Sequence, residues 1–476
     1  MPNDVAKEQR PHPATPLIRG WIVLLAILVV IGRELIPKGG DDDPGKGLLS
    51  LPLVWLLSGL GAIVVLAALG SFVSWWFTKY VIDANELRIE TGMMTKRSRR
   101  VGFNRIQSVD LVQPFAARLF SLAELRIETG GGESVKIHYL PRQDAARLRD
   151  YLLARAHGDH TAEVTTASTA SALTDAAHTD KVIVTINPPQ LIGAFLLSGE
   201  FLLTLLFPLV ALVLSVVFHV WFIAIPALLP VILGIGGLIS RRVISQFNYQ
   251  LADTGHGLRI TRGLTNLTSQ SLPVDRIQGV RIRQSALWRP FGWWRVDVDV
   301  VGYGHQDQNS NRSEASSMLL PVASAEQVRL ALAGCLPGID PDAVPLTTIP
   351  RRARWLQWWN FWTVRYGVDA AVAVHELGWL ARRRDIVPHA KTQSVRVTRG
   401  PLQRRLGLAS VHLDTAKGPV DWAVDHLDGT TAREFAAEQM DRARAARAAL
   451  RRDASPDPAG NPVLSDPTLE PPAPCA

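Results

Sequence analysis

A chain of 476 residues is long enough for several domains of ordinary size. Its mean hydropathy is slightly positive although 20% of its residues are charged, a balance typical of apolar blocks that alternate with water-soluble ones. Its net charge of +8 suits binding to an anionic surface, and the apolar blocks favour lipid over nucleic acid as that surface. Its two cysteines, Cys335 and Cys475, are far apart in the sequence, which excludes a disulfide framework or a cysteine metal site.

Three apolar blocks are each long enough to cross a bilayer, which takes about 20 apolar residues in a helix. Two of them lie near the N-terminus. The third is too long for one span and predicts two helices joined close to His219. The sequence thus predicts two membrane hairpins, whose four helices cover residues 17–36, 48–77, 191–215 and 219–240.

The charges that flank the apolar blocks predict the orientation. Basic residues precede the first block and follow the second, whereas the loop between them carries Asp41, Asp42 and Asp43. Because cytoplasmic flanks of membrane helices carry an excess of Lys and Arg, the N-terminus and the segments after each hairpin should be cytoplasmic. We therefore expect a multi-pass plasma-membrane protein with four transmembrane helices and both termini in the cytoplasm.

An internal repeat is the most informative feature of the sequence. Shifting the chain by 171 residues aligns one segment with a second, and shifting it by 286 residues finds a third. Register is kept over about forty residues, which predicts three copies of one module. The matched residues include Arg105–Val109 with Arg276–Val280, Gln107–Val109 with Gln393–Val395, and Arg118 with Arg289 and Arg404.

Each copy has the pattern of several strands followed by one helix. Apolar and polar residues alternate in Leu87–Glu90 and in Val296–Val300, as in half-buried strands. Gly92 and Gly263 follow a strand, where a hairpin turn favours positive φ. Amphipathic helical stretches close the three copies at Arg142–Arg155, Ser324–Ala333 and Thr431–Leu450.

The repeated motif, Arg or Lys, any residue, Gln, Ser or Gly, then Val, is followed by Phe120–Leu122, Phe291–Trp293 and Leu406–Leu408. This pattern resembles the bacterial pleckstrin-homology (PH) domain family of YdbS/YdbT-like membrane proteins, as does the interleaving of hairpins and modules. The resemblance implies membrane α-helical hairpins plus three α+β modules, each a bent antiparallel β-sheet or barrel capped by a C-terminal helix. It implies no enzyme and no cofactor. It suggests a shorter YdbS-like membrane protein as partner, or self-association, and a role in envelope maintenance or stress tolerance.

The predicted order of domains along the chain follows from the repeat, the apolar blocks and the Ala/Thr/Ser- or Pro-rich linkers between them. It is a cytoplasmic tail (1–16), hairpin 1 (17–78), PH-like module 1 (79–157), a linker (158–188), hairpin 2 (189–240), PH-like module 2 (241–336), a linker (337–354), PH-like module 3 (355–452) and a disordered tail (453–476).

Two sets of polar residues are candidate interaction sites. The polar side chains of the motif are predicted to bind a lipid phosphate or a partner's backbone or, alternatively, to bridge strands within their own module. They are Arg105, Gln107, Arg276, Gln278, Lys391 and Gln393. Two basic runs predict contact with an anionic leaflet or, alternatively, ordinary solvated hairpins; they are Lys96, Arg97, Arg99 and Arg100, and Arg382, Arg383 and Arg384.

Two further features have two interpretations each. Glu200 is the one charged residue of the third apolar block, and it is either a functional intramembrane carboxylate or a hydrogen-bonded pin between helices. Arg351–Phe361 is basic and rich in tryptophan, and it either lies at the membrane surface or packs against the first strand of the third module. No recognisable catalytic or metal-ligand motif accompanies them.

Two classes of function remain open. The first is a non-enzymatic scaffold whose modules bind a protein partner, or one another, beneath the bilayer. The second is a protein that binds or handles anionic lipid. A transporter would need more spans and more intramembrane polar residues than four helices with one glutamate supply.

Overall fold

The structure is a computed structural model that describes residues 79–156 and 181–454, with gaps at 83–85, 92–96, 130–133, 220, 256, 302–316 and 417, and a few isolated residues before 79. Nearly all of the predicted first hairpin, most of the first linker and nearly all of the C-terminal tail lie outside the described residues. Within them, the chain forms three modules, which we define as residues 79–156, 181–335 and 347–454.

The first module has two antiparallel sheets of three strands and a closing helix. The first sheet contains β1 (Lys79–Ile82), β2 (Glu86–Thr91) and β3 (Arg97–Gly102). The second contains β4 (Ile106–Gln113), β5 (Leu122–Thr129) and β6 (Ser134–Pro141), with the short helix α1 (Phe115–Leu119) between β4 and β5, and α2 (Arg142–Ala156) follows it.

The second module repeats this plan with one strand more. Its first sheet contains β7 (Lys181–Thr185), β8 (Gln250–Asp253), β9 (Leu258–Arg262) and β10 (Leu267–Leu272), and the helices α3 (Pro188–Leu196), α4 (Gly199–Val217) and α5 (Trp221–Arg242) lie between β7 and β8 in the chain. Its second sheet contains β11 (Ile277–Ser285), β12 (Trp294–Val300) and β13 (Met318–Ala323), followed by α6 (Ala325–Cys335).

The third module follows the second strand for strand. Its first sheet contains β14 (Thr347–Thr348), β15 (Arg365–Val368), β16 (Val372–Leu377) and β17 (Ala381–Pro388). Its second sheet contains β18 (Ser394–Thr398), β19 (Leu408–Asp414) and β20 (Trp422–Asp428), with the short helix α7 (Pro401–Arg405) before β19, and α8 (Gly429–Ala454) closes the module.

The core of each module lies between its two sheets and beneath its helix. In the first module, Leu87 of one sheet, Leu125 and Ile127 of the other, and Leu152 of α2 are all fully buried. Because side chains of a strand alternate between faces, the period-two pattern forms one apolar layer on each sheet. The predicted α+β modules are therefore confirmed, as are the predicted closing helices.

The sheets of neighbouring modules are continuous with each other. One seven-stranded sheet has the order β6-β5-β4-β10-β9-β8-β7, and another has the order β13-β12-β11-β17-β16-β15-β14. In each, the second sheet of one module pairs with the first sheet of the next. Three-stranded sheets stand at the two ends, with the orders β1-β2-β3 and β18-β19-β20.

The helices between β7 and β8 correspond to the second of the predicted membrane hairpins. α4 packs against α5, and many apolar side chains of α4 are exposed, such as Leu203 at 68%. Within the described residues, no single helix is long and apolar enough to cross a bilayer, but α3 and α4 together are, with a bend of 50° between them. The helix predicted over 191–215 is thus broken, because the Ser198 Oγ accepts the N–H of Phe201 and begins a new helix.

Two strands lie where the sequence predicted linkers. β7 falls within the predicted linker 158–188, and β14 falls within the predicted linker 337–354. Both pair with a strand that follows an inserted segment, β7 with β8 and β14 with β15. The second and third modules therefore begin before their inserted segments, and the boundaries predicted at 241 and 355 are too late.

Candidate protein-interaction site at the module junctions

The two junctions between modules are built in the same register. At the first junction, Leu267 of β10 pairs with Gln113 of β4. At the second, Arg382 of β17 pairs with Gln284 of β11. These two pairs are equivalent under the sequence offsets of 171 and 286 residues. One module therefore docks on the next by a fixed alignment of backbone hydrogen bonds, which is β-augmentation within one chain.

At each junction, an equivalent arginine of the preceding module donates a hydrogen bond to the following module. Arg118 Nη1 donates to the carbonyl oxygen of Leu264 at 3.4 Å, in the turn between β9 and β10. Its equivalent Arg289 donates to the carbonyl oxygen of Trp379, in the turn between β16 and β17. Arg404 is the third equivalent, and its side chain is exposed and donates to none of the described residues. Two of the three arginines thus reach the following module.

The basic residue of the repeated motif supports the junction from the opposite side. Arg276 Nη2 donates to the carbonyl oxygen of Ile106 in the preceding module at 3.4 Å. Lys391 Nζ donates in the same way to the carbonyl oxygen of Asp275. Arg105 belongs to the first described module, and its side chain is exposed and donates to none of the described residues. The motif's basic residue therefore binds the backbone of a neighbouring module wherever one is present.

The glutamines of the motif are placed differently from one another. Gln278 is buried, and its Nε2 donates to the carbonyl oxygen of Arg276 at 3.2 Å, within its own module. Gln393 is exposed immediately before β18. Gln107 lies in β4, and its side chain is outside the described part of the structure. Gln278 therefore bonds within its own module, whereas the side chain of Gln393 is exposed.

A glycine with positive φ forms each turn that accepts the arginine. Gly263 has φ of 113° and Gly378 has φ of 96°, and each precedes the accepting carbonyl residue. A Cβ on Gly378 would stand 2.0 Å from the carbonyl oxygen of Ala381, so no side chain fits there. The predicted turn is thus confirmed at Gly263, whereas Gly92 lies outside the described residues.

We expect Gly378→Ala to lower the free energy of unfolding by roughly 1–3 kcal/mol, because it combines a strained φ with this backbone clash. Urea unfolding of the purified protein measures the change. Gly338→Ala is the matched control, since Gly338 has φ of 76° but nothing within 4 Å of a Cβ. Equal losses for the two variants would contradict the role assigned to the turn contact.

Buried charges join the strands of the second junction. Asp385 of β17 has no exposed surface, and its carboxylate accepts from Arg281 Nε at 2.6 Å and from Arg383 Nε at 2.7 Å. Arg281 belongs to β11, so this pair crosses from the second module to the third. Asp297 beside it is held by Arg283 and Arg295. Each of the two buried carboxylates is thus paired with two guanidinium groups.

Burial shifts the pKa of two titratable groups near Asp385 toward their uncharged forms. Burial raises the pKa of Asp299 to about 7, and the Asp385 carboxylate raises it further, while the backbone N–H of Val420 and Arg281 oppose the shift. Burial lowers the pKa of His375 to about 3, with Arg383 and Arg281 acting in the same direction. His375 is therefore uncharged at neutral pH, and the charge of Asp299 changes near neutral pH.

The two basic runs lie on equivalent strands but in different surroundings. Arg100 of β3 is exposed and 3.9 Å from Glu86. Lys96 and the side chains of Arg97 and Arg99 lie outside what the structure describes. In β17, Arg382 is exposed, Arg383 binds Asp385, and Arg384 binds Glu376 and Asp342. Because β17 is a central strand of a continuous sheet, two of its three arginines are engaged within the protein.

Glu200 lies in the first turn of α4 and pairs with the end of α5. Its Oε2 is 2.9 Å from Arg242 Nη2. Both side chains are partly exposed. The pair connects the two helices at the base of the hairpin, which is the arrangement expected of the structural alternative for this residue.

Among the described residues, the strand equivalent to a junction strand has a neighbour on one side only at each end of the array. β18 pairs with β19 alone, and β3 pairs with β2 alone. Ser394 of β18 is exposed, whereas its equivalents Ser108 and Gly279 are buried in the junctions. An unpaired edge of this kind is a template for another strand.

Sequence reasoning found the positions of these contacts without recognising their role. Arg118, Arg289 and Arg404 were visible as matched residues, and that match was the available signal. Arg281 and Asp385 were missed, because a pairing between distant strands leaves no local pattern in either strand.

The model of the family described as "Bacterial PH domain" matches residues 24–156, 201–335 and 330–453. A protein of Bacillus subtilis (strain 168) named "UPF0699 transmembrane protein YdbT" is 23% identical over 288 residues, which cover 55% of this chain and 57% of that protein. The chain thus spans little more than half the length of this relative. The relative's name supports membrane association, and the three matches to the family model show that the chain belongs to the bacterial PH domain family.

Proposed function

We propose that this chain is a non-enzymatic membrane scaffold whose three modules form a linear array and bind a PH-like module of another protein at an open end. The observation that carries the proposal is the junction itself. It occurs twice with the same register and the same arginine contacts, and β18 with Arg404 presents the same elements without a described partner.

The proposed setting is the plasma membrane. Four helices in two hairpins would anchor the array, with both termini and all three modules in the cytoplasm, as the flanking charges favour. Envelope maintenance or stress tolerance is the physiological role we propose, and a deletion strain grown under envelope stress tests it.

The charges of the open edges favour a different protein over a second copy as the partner. In the second junction, Asp385 lies opposite Arg281. If a second copy docked its β3 on β18 in this register, Arg99 would lie opposite Arg396. Like charges directly opposite each other destabilise a strand pair. The proposed partner is therefore a shorter YdbS-like protein with an acidic residue in its β3-equivalent strand.

The test is site-specific photo-crosslinking of the full-length protein in native membranes. A photoreactive residue replaces Thr398 of β18, and in the control it replaces Arg444 of α8, which is also exposed. We expect one adduct, specific to position 398, whose mass spectrum identifies a membrane protein with a PH-like module. No adduct at 398 beyond those at 444, or an adduct only with the chain itself, would overturn the proposal of a separate protein partner.

Binding of anionic lipid is the second candidate, and one observation favours it. A cavity of about 650 Å³ lies between the second and third modules, lined by Arg289, Arg365 and Arg382 and by Trp362 and Trp379. Guanidinium groups beside aromatic rings suit a phosphate with an apolar neighbour. Loss of co-purifying phosphatidylglycerol in an Arg365→Ala, Arg382→Ala double variant would support this function, and unchanged lipid content would count against it.

A further inference from the structure

The third module has a short segment at the place where the second has its helical hairpin. In the second module, Thr185 pairs with Gln250, and the hairpin runs between them. In the third, Thr348 pairs with Arg365, the equivalent of Gln250, and segment 349–364 runs between them. Because both inserts leave the sheet from equivalent paired positions, segment 349–364 emerges at the same end of its module as the hairpin does.

Segment 349–364 exposes its tryptophans. Trp355 is 71% exposed and Trp358 is 73% exposed, and Trp359 and Trp362 are each about half exposed. Other residues attach the segment to its module, since Ile349, Ala353 and Val364 are buried in the core of the module. The alternative that the tryptophans of Arg351–Phe361 pack against the first strand of the module therefore fails for Trp355 and Trp358, the most exposed of them. A folded segment that turns four indoles outward presents a surface for something apolar.

The charge of this segment is entirely positive. It contains Arg351, Arg352 and Arg354 and no Asp or Glu. Arg352 pairs with Asp428, whereas Arg351 and Arg354 are exposed. The turn between β16 and β17 adds a fifth exposed tryptophan, Trp379, which borders the same cavity as Trp362. Indoles interleaved with arginines match the interface of an anionic bilayer, where Trp sits at headgroup level and Arg meets lipid phosphate.

We propose that segment 349–364 is a membrane-interface anchor that holds the third module against an anionic phospholipid surface. It takes the place of a hairpin without crossing the bilayer. The proposed hairpins before the first module and inside the second would attach those two modules to lipid. With the anchor of the third module, every module then has its own attachment to lipid. The inference does not depend on the scaffold role, because it concerns lipid contact rather than binding at the strand edges.

The test places a fluorophore at position 358 of the full-length protein in vesicles. Cys475→Ser removes one native thiol, and Cys335 stays unlabelled because it is buried, which raises its pKa to about 12. Trp358→Cys then carries the label, and Leu450→Cys on α8, also exposed, is the matched control. The vesicles contain phosphatidylglycerol and a phospholipid with a nitroxide quencher near the headgroup.

We expect quenching at position 358 to exceed quenching at position 450 by at least about twofold, since only the first would sit at headgroup level. Removing phosphatidylglycerol, or adding Arg351→Gln and Arg354→Gln, should weaken quenching at 358 and leave 450 unchanged. Equal quenching at the two positions would overturn the membrane anchor. That is also the result expected if a protein segment, rather than lipid, covered the tryptophans. Quenching that ignores phosphatidylglycerol and the arginines would overturn the requirement for an anionic surface.

Discussion

Replacing Asp385 by Ala should lower the free energy of unfolding by about 3–5 kcal/mol, the largest single effect expected in this protein. The substitution leaves the guanidinium groups of Arg281 and Arg383 at the second junction without their shared carboxylate. Arg281 is mostly buried, so water would replace the lost carboxylate poorly. The loss should appear in urea unfolding as a lower midpoint, with the third module affected first.

Asp441→Ala is the control for Asp385→Ala. Asp441 of α8 also pairs with an arginine, Arg444, at 3.1 Å, but both side chains are at least 70% exposed. Exposed pairs contribute about 0.2–1 kcal/mol, so this variant should unfold almost as the parent does. Similar losses in the two variants would show that the Asp385 cluster does not hold the junction.

Replacing Asp299 by Asn should stabilise the protein increasingly as pH rises from 5 to 7. Burial holds the pKa of Asp299 near 7, above its usual value, so the folded protein keeps a proton that the unfolded chain has released. The stability of the parent therefore falls as pH rises through this interval and levels off above the folded pKa. At about 1.4 kcal/mol per pH unit, with the slope falling as pH approaches the folded pKa, the gap between variant and parent should grow by roughly 2 kcal/mol.

Urea midpoints of parent and variant at pH 5, 6, 7 and 8 measure this gap. Other titrating groups affect both proteins equally, so the difference isolates Asp299. The Asp441→Asn variant, altered at an exposed position, should differ little from the parent at any pH. A gap for Asp299→Asn that is the same at pH 5 and pH 7 would contradict the raised pKa.

The repeat predicted more of the structure than the composition did. Offsets of 171 and 286 residues, taken from the sequence, recur in the strand pairs. Ser108 pairs with Glu128, Gly279 with Asp299 and Ser394 with Asp414, which are the same pair three times. Register is predictable here because the apolar residues of each strand must face the core, and a slip by one residue would reverse them.

The junctions were beyond sequence reasoning for a physical reason. β4 and β10 are joined by backbone hydrogen bonds, which any residues except proline can make. The sequence of either strand therefore does not indicate which strand it pairs with. β14 has two residues, too few for any alternating pattern. The basic motif residues were recognised as candidates for binding a partner's backbone, and Arg276 and Lys391 bind such a backbone within their own chain. What the alignment did not indicate was that the neighbour is the preceding module.

The distance along the chain between paired edges has a consequence for biosynthesis. β4 is complete at residue 113, but the strand that covers its edge begins at residue 267. At 5–20 residues per second, the ribosome needs roughly 8–30 s to supply it. During that time the first module emerges with an uncovered edge while the following apolar helices are still being made. Translation speed and chaperone access in this window should therefore influence the yield of correctly assembled protein.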